Sequence, residues 1–292
     1  MGLSVNSLKN VIESVKGISS SPQILPKLTA ILNDSESDLD EAVKLIKMDI
    51  SINGQVLKFS NSSFYRRGAK VDSLEVAIQR LGFKHVHQLV MIAAAKSVFN
   101  HRMKVYKGQD EGLFEISIAC GKIMSALANP VGIGDRDAAY TIGLFHAIGK
   151  IIIDNYFADK GILIFKQQTV QSTMEKERQL LGFDHAEAGA ELLTKWKFSD
   201  YVVFPIRNQF SDRANHPKNK SSSALSLAAF AAEAMLSENF DKDETLNSFA
   251  ELHPEIYEAL QLDRETLEFN LTEAKNNLKR SLELIQNAPT DR

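Results

Sequence analysis

The sequence contains a single cysteine, Cys120, among 292 residues. One thiol excludes an internal disulfide framework and a zinc site built from several cysteines. Cys120 ends the run Ile116-Ser117-Ile118-Ala119-Cys120, which predicts a buried helix face. We therefore interpret it as a core thiol and not as a nucleophile, because nothing nearby in sequence would lower its pKa.

The sequence also lacks a long apolar run and an excess of positive charge. No stretch approaches the roughly 18 apolar residues of a spanning helix, and residues 1–16 lack the order of a signal peptide. The net charge is -3 and the pI about 6.2, so the whole chain does not attract polyanions. We interpret Tyr65-Arg66-Arg67 with Lys70 as a solvated turn. These features predict a soluble, cytoplasmic protein with no membrane and no nucleic-acid partner.

What the sequence does have is helical periodicity and a hydrophobic fraction of 44%, enough for a core. Asp38 with Glu41 and Asp72 with Glu75 form capping-box patterns, and Gly82 stands where a helix would end. Apolar stripes without interior proline predict an all-α bundle. Helices are predicted over residues 84–99, 113–128, 135–146, 184–196, 223–238 and 264–287.

Two short apolar runs, Ile151-Ile152-Ile153 and Ile162-Leu163-Ile164, are rich enough in β-branched residues to form strands. Periodicity alone does not separate a short buried strand from a buried helix. Because both runs stand among predicted helices, we favour buried helix for each.

The composition predicts three segments. Residues 1–103 form an N-terminal helical half, residues 112–238 a second helical half, and residues 240–292 a C-terminal helical extension; polar stretches at 104–111 and 216–223 separate periodic regions. The last predicted helix carries an apolar stripe close to a coiled-coil seam. We favour docking of this stripe on its own domain, and a weak dimer is the alternative. The stripe comprises Leu267, Leu271, Ala274, Leu278, Leu282 and Ile285.

The most informative motif is Gly143-Leu144-Phe145-His146-Ala147-Ile148-Gly149-Lys150, in which a histidine closes an apolar helix and glycines permit close backbone approach. A second motif, Leu181-Gly182-Phe183-Asp184-His185-Ala186-Glu187-Ala188-Gly189, predicts a helix that starts at Asp184. His185 would lie in its first turn, and Gly189 one turn later on the same face.

Together these motifs resemble the HDOD domain, a helical relative of the HD-domain metal-dependent phosphohydrolases found in bacterial signalling proteins. The resemblance covers roughly residues 20–235. In the first half it rests on Leu25-Pro26, Asp49 at a helix entry, the turn Asn61-Ser62-Ser63 and the helix end Leu81-Gly82. It implies a multi-helix HD-like bundle with an extra C-terminal segment.

The resemblance also implies where metal ligands of a catalytic relative would fall. The earlier histidine corresponds to Ile116-Ser117, the His-Asp pair to His146-Ala147, the next histidine to His185, the later pair to Asn208-Gln209, and the final aspartate to Ala229. Only at His146 and His185 does this sequence have the metal-binding residue of the catalytic pattern. A divalent ion needs at least three protein ligands, and Ala147 removes the bridging carboxylate. We therefore expect no metal, no cofactor and no catalytic residue.

The leading hypothesis is a non-catalytic regulatory module for signal transduction that binds an unidentified partner protein or small ligand. A pocket lined by His146, His185 and Lys150 could take such a ligand, for example a nucleotide. Otherwise the two histidines are buried residues that hold helices together.

Two alternatives remain open. One is a divergent phosphohydrolase that recruits Asp135, Asp137 or Asp154 beside the histidines. The other is an anion-binding scaffold that uses Arg66, Arg67 and Lys84.

Overall fold

The computed structural model of the chain describes residues 8–14, 24–33, 39–62, 65, 70–99, 103–107, 112–158, 160–165, 169–210 and 220–286. Within these residues the fold is all-α, as the periodicity predicts. In chain order the helices are α1 Leu8–Ser14, α2 Ile24–Asn33, α3 Leu39–Met48, α4 Ile50–Ser60, α5 Leu74–Leu81, α6 Phe83–Phe99, α7 Leu113–Val131, α8 Arg136–Phe145, α9 Ile148–Phe157, α10 Val170–Leu181, α11 His185–Lys195, α12 Asp200–Arg207, α13 Lys220–Met235, α14 Lys242–Leu252, α15 Pro254–Ala259 and α16 Arg264–Gln286.

The chain divides into two compact units. One comprises Ser19–Val98 and Asn277–Arg292, and the other comprises Met1–Ile18 and Phe99–Asn276. The second unit therefore contains both the first helix and most of the residues after 240. The segment boundaries expected from composition stay a prediction about domains.

In the unit that contains Ser19–Val98, polar side chains fix the helix ends. Asp49 caps α4, as the family resemblance implies, and its side chain accepts a hydrogen bond from the Ile52 N–H at 3.0 Å. Asn61 ends α4 and closes the following loop, because its amide donates to the Val71 carbonyl at 2.6 Å and accepts from the Val71 N–H at 2.8 Å. These bonds give the Asn61-Ser62 turn a structural role.

The start of α5 differs by one residue from the predicted capping box. Ser73, not Asp72, is the cap, and its hydroxyl accepts from the Val76 N–H. Asp72 and Glu75 matched the spacing rule, but a serine directly before the first helical residue also caps well. At the other end Gly82 has a φ of 79°, so the predicted glycine stop is confirmed. Asp38 lies outside the described residues.

The six longer predicted helices all form, and each boundary lies within three residues of the prediction. Ile151-Ile152-Ile153 is buried inside α9, which confirms the helical interpretation of that run. The interpretation of Ile162-Leu163-Ile164 as helix is wrong. Gly161 has a φ of 68°, which interrupts helical geometry just before this run. Ile164–Phe165 then forms strand β2, which pairs in parallel with strand β1, Tyr106–Lys107.

In the unit that contains Phe99–Asn276, α7 and α8 form a closely packed hairpin, and α13 packs against α7. The predicted stripe of α16 is buried at Leu267, Leu271 and Ala274. An ion pair of 2.9 Å joins Glu273 of this helix to Arg136 of α8. The described helices include none whose length and apolar character would allow it to span a bilayer.

Candidate functional site

His146 directly follows α8, and the protein buries it almost completely. Its Nδ1 lies 2.8 Å from the Gly143 carbonyl oxygen. Since a carbonyl only accepts, Nδ1 carries the proton and Nε2 the lone pair in the neutral ring. Burial lowers the pKa of His146 to about 3, against the effect of the Gly143 hydrogen bond, and Lys150 and His185 add to the lowering. The imidazole is therefore uncharged at neutral pH.

Close packing of α7 and α8 decides what faces His146. A Cβ at Gly143 would lie 2.6 Å from the Cys120 carbonyl oxygen, and a Cβ at Gly121 would lie 3.1 Å from the Tyr140 carbonyl oxygen. The helices are antiparallel, so one further turn of α8 reaches His146 while one turn back along α7 reaches Ile116 and Ser117. The segment aligned with the earlier histidine therefore lies opposite His146.

A second close contact brings His185 to the same region. Gly149 of α9 lies so near α11 that a Cβ there would overlap the His185 carbonyl group and approach the Gly189 nitrogen to 2.6 Å. The predicted use of glycine for tight backbone approach is confirmed. Asp184 caps α11 as predicted and forms a capping box with Glu187, which fixes His185 in the first turn.

His185 is completely buried and bonds to Glu177 of α10. Its Nδ1 lies 2.7 Å and 3.0 Å from the two carboxylate oxygens, and its backbone N–H donates to the same group at 2.7 Å. The Tyr106 hydroxyl donates to Glu177 Oε1 at 2.8 Å. A fully buried carboxylate thus orients the imidazole and directs Nε2 away from Glu177.

The pKa values in this network follow from its contacts. Burial acts to raise the pKa of Glu177, but the charge and hydrogen bonds of His185, together with the Lys150 charge, outweigh it and lower the pKa. Burial and the neighbouring Glu177 carboxylate raise the pKa of Tyr106 well above its ordinary value. Glu177 is therefore ionised and Tyr106 is a neutral hydrogen-bond donor at neutral pH.

Lys150 and Asp154 extend the network along α9. The Lys150 Nζ lies 5.7 Å from the centre of the Tyr106 ring, in cation–π geometry. Asp154 Oδ1 accepts the Lys104 and Val105 N–H groups at 2.7 and 2.6 Å, which fixes the chain just before β1. Both residues are buried, and their geometry is that of a structural link.

The Asn208-Gln209 pair divides between two roles. Asn208 ends α12, and its amide donates to the Phe204 carbonyl at 2.8 Å within its own helix. Gln209 is buried, and its amide donates to the His146 carbonyl oxygen at 3.0 Å. The pair therefore places one amide beside His146 and one at the helix end.

The aligned positions do not fit a divalent metal ion. Ala147 lies at the start of α9 with 1% of its surface exposed, and Ala229 is equally buried in α13. The side chains of the two alanines and of Ile116 supply no ligand atom, so the aligned positions offer two imidazoles and no carboxylate. Within the described ranges no three His, Cys, Asp or Glu side chains form a group suited to a metal ion.

Two of the carboxylates considered for an alternative hydrolase, Asp135 and Asp154, already accept hydrogen bonds from backbone N–H groups. Asp135 caps α8 through the N–H groups of Asp137 and Ala138 at 2.8 and 3.0 Å. Asp154 holds the chain before β1, as described above. Arg66 and Arg67 lie outside the described residues, as does the side chain of Lys84.

Glu177 and Tyr106 are central to this network, although the motifs did not single them out. A glutamate eight residues before His185 lies in a polar, amphipathic segment, where the usual expectation is a solvated side chain. One sequence signal pointed to Glu177. Leu181-Gly182 predicts a helix end directly before α11, which brings the last turns of α10, and with them Glu177, close to the start of α11.

Three comparisons place these features among known proteins. The sequence profile described as "HDOD domain" matches residues 18–211, about two thirds of the chain. An "Uncharacterized protein" of Treponema pallidum (strain Nichols) is 21% identical over 229 residues, which cover 76% of this chain and 43% of that protein. The chain thus spans less than half the length of this curated relative.

Two solved structures share the fold. The "Putative phosphohydrolase" of Shewanella amazonensis SB2B has a TM-score of 0.66 at 21% identity, covering 97% of this chain and 100% of the other. The "Putative signal transduction protein" of Marinobacter aquaeolei VT8 has a TM-score of 0.64 at 19% identity, covering 98% and 63% respectively. Likeness at this identity establishes the fold alone.

Proposed function

The chain belongs to the HDOD domain family, and from that premise we propose that it is a non-catalytic regulatory module for signal transduction. It would bind a partner protein or a small ligand and would hydrolyse no phosphate ester. The observation that carries the proposal is Ala147. An alanine directly after His146 leaves the position of the bridging carboxylate without any oxygen.

The surrounding carboxylates support this proposal because other groups already bind them. Glu177 accepts hydrogen bonds from His185 and Tyr106, and Asp154 accepts two backbone N–H groups. A hydrolase would need at least one of them to turn toward a metal ion and activate water. Such a turn would leave buried donors unpaired, which is energetically unfavourable.

The signalling role and the location are proposals by analogy. The Marinobacter protein carries a signal-transduction name and the Shewanella protein a phosphohydrolase name, and both share the helical scaffold. We favour the former role because a scaffold can keep its binding surfaces after its catalytic ligands are replaced. We further propose that the protein acts in the cytoplasm as a monomer or as a weak dimer through α16.

An activity assay tests the proposal directly. Purified protein would be incubated with bis-p-nitrophenyl phosphate, a phosphomonoester and a cyclic dinucleotide, each with Mn²⁺ and Mg²⁺. We expect no turnover above that of a His146→Ala/His185→Ala double variant, which controls for a contaminating hydrolase. Metal-dependent turnover that disappears in the double variant would show that the protein is an enzyme.

A further inference from the structure

Three buried polar atoms near His146 have no hydrogen-bond partner among the described residues: Ser117 Oγ, His185 Nε2 and Gln209 Oε1. We call them the orphan cluster. Their residues are 0%, 0% and 1% exposed, so bulk water does not reach them. Unpaired buried polar atoms are unfavourable, and native proteins pair nearly all of them with protein groups or ordered water.

The helix contacts bring the cluster together. Ser117 lies one turn before Cys120, whose carbonyl packs against Gly143, three residues before His146, and the Gln209 amide donates to the His146 carbonyl oxygen. The start of α11, which carries His185, lies against Gly149, three residues after His146. His185 is near enough to His146 to contribute to the lowering of the His146 pKa. Each of the three residues is thus linked to the chain around His146, and each comes from a different segment.

The charges around the cluster favour an uncharged occupant. The ionised Glu177 lies against His185, and the buried Lys150 lies near enough to lower the pKa of both Glu177 and His146, so the two opposite charges offset each other and neither an anion nor a cation is favoured. A divalent cation would find alanine at both aligned carboxylate positions, Ala147 and Ala229. Serine hydroxyl, imidazole nitrogen and amide oxygen are instead the mixed donors and acceptors that a water molecule satisfies.

We propose that ordered water occupies this region and bridges Ser117, His185 and Gln209, in the position where a catalytic relative would hold its metal. The inference rests on the proposed function, because it assumes that no metal binds there. The bridge would connect α7, the start of α11 and Gln209, the second residue after α12. It would thereby stabilise the packing that the lost metal ligands no longer provide.

A crystal structure at a resolution that reveals water, with anomalous diffraction data, tests the inference on the unmodified chain. We expect a water-sized peak within hydrogen-bonding distance of the orphan cluster and no anomalous signal. The inference is overturned if the cluster bonds only to protein groups, or if the density is tetrahedral or extended. If the inference fails in either of these ways and no metal is bound, the proposed function still stands. A metal peak together with metal-dependent hydrolysis would overturn the inference and the proposed function.

Paired serine variants sharpen the test. In Ser117→Ala we expect the peak to move or to lose occupancy, because one of its three partners is removed. Ser60→Ala is the matched control, since Ser60 is also a buried helical serine but donates to Val56 within its own helix. The peak should remain unchanged in the control. An unchanged peak in Ser117→Ala would contradict the three-way bridge.

Discussion

Replacing Glu177 by glutamine should strongly destabilise the unit around His146. Glutamine keeps the shape of the side chain but removes the charge that His185 and Tyr106 contact. Hydrogen bonds to a charged group contribute about 1.5–3 kcal/mol each, and removing one member of a buried pair costs about 3–5 kcal/mol. Because glutamine still offers one acceptor oxygen, we expect a loss of about 2–4 kcal/mol in the free energy of unfolding.

The pH dependence of this loss has a definite sign. The pKa of Glu177 is lowered in the folded protein from its ordinary value of 4.5. A carboxyl group with a depressed folded pKa contributes stability that is present above the unfolded pKa and lost as the pH falls through the folded pKa. The difference between wild type and Glu177→Gln should therefore be constant above about pH 5 and shrink below pH 4.5.

The assay is urea unfolding followed by fluorescence of Trp196, the sole tryptophan. Trp196 is buried at the end of α11, the helix that begins with His185, so it reports on the relevant unit. Glu175→Gln on the same helix as Glu177 is the control, because Glu175 is exposed and its carboxylate accepts a long hydrogen bond of 3.5 Å from Gln171. If Glu177→Gln lowers the free energy of unfolding no more than this control does, or by an amount independent of pH, the stabilising role of the Glu177 hydrogen bonds is refuted.

Three further predictions follow from single residues. Gly149→Ala should lower the free energy of unfolding by about 3 kcal/mol or more, because the new Cβ would overlap α11. Gly54→Ala in α4 is the control: its Cβ would meet no atom within 4 Å, and the free energy of unfolding should rise by about 0.5–1 kcal/mol. The urea midpoints of the two variants compare these effects. His146 has a folded pKa of about 3 against an ordinary value of 6.5, so its ring should stay neutral in NMR titrations down to pH 4.5. Its contribution to stability should be full above pH 6.5 and should be lost as the pH falls toward 3. A ring that titrates near pH 6.5 would contradict its burial. Asp49→Ala should cost about 1 kcal/mol in thermal or urea unfolding, and an unchanged stability would show that the cap at α4 contributes little.

Local sequence rules predicted much of the fold because they describe local energetics. Asp184 caps a helix and Gly82 ends one, since each effect depends on residues within one turn, whereas Asp49 at a helix entry followed from the family resemblance. The same rules explain the errors. Ser73 competed with Asp72 for the same cap. Residues 162–164 formed coil and strand through pairing with β1, and local rules missed this because β1 lies more than fifty residues away in sequence.

The candidate site was predictable only in part. The motif around His146 and the glycines at 149 and 189 carry local signals, and the close contact of α9 with α11 follows from them. The partners of His185 do not, because a glutamate in α10 and a tyrosine before α7 meet only after the chain has folded. Long-range hydrogen bonds between buried polar groups leave no periodic pattern in sequence.

The proposed function requires that the protein binds no metal at His146 and His185. Equilibrium dialysis against Mn²⁺, Fe²⁺ and Zn²⁺, followed by mass-spectrometric metal analysis, measures this directly. We expect the bound metal not to exceed that of the His146→Ala/His185→Ala double variant. One metal ion per chain in the wild type, lost in the double variant, would contradict it.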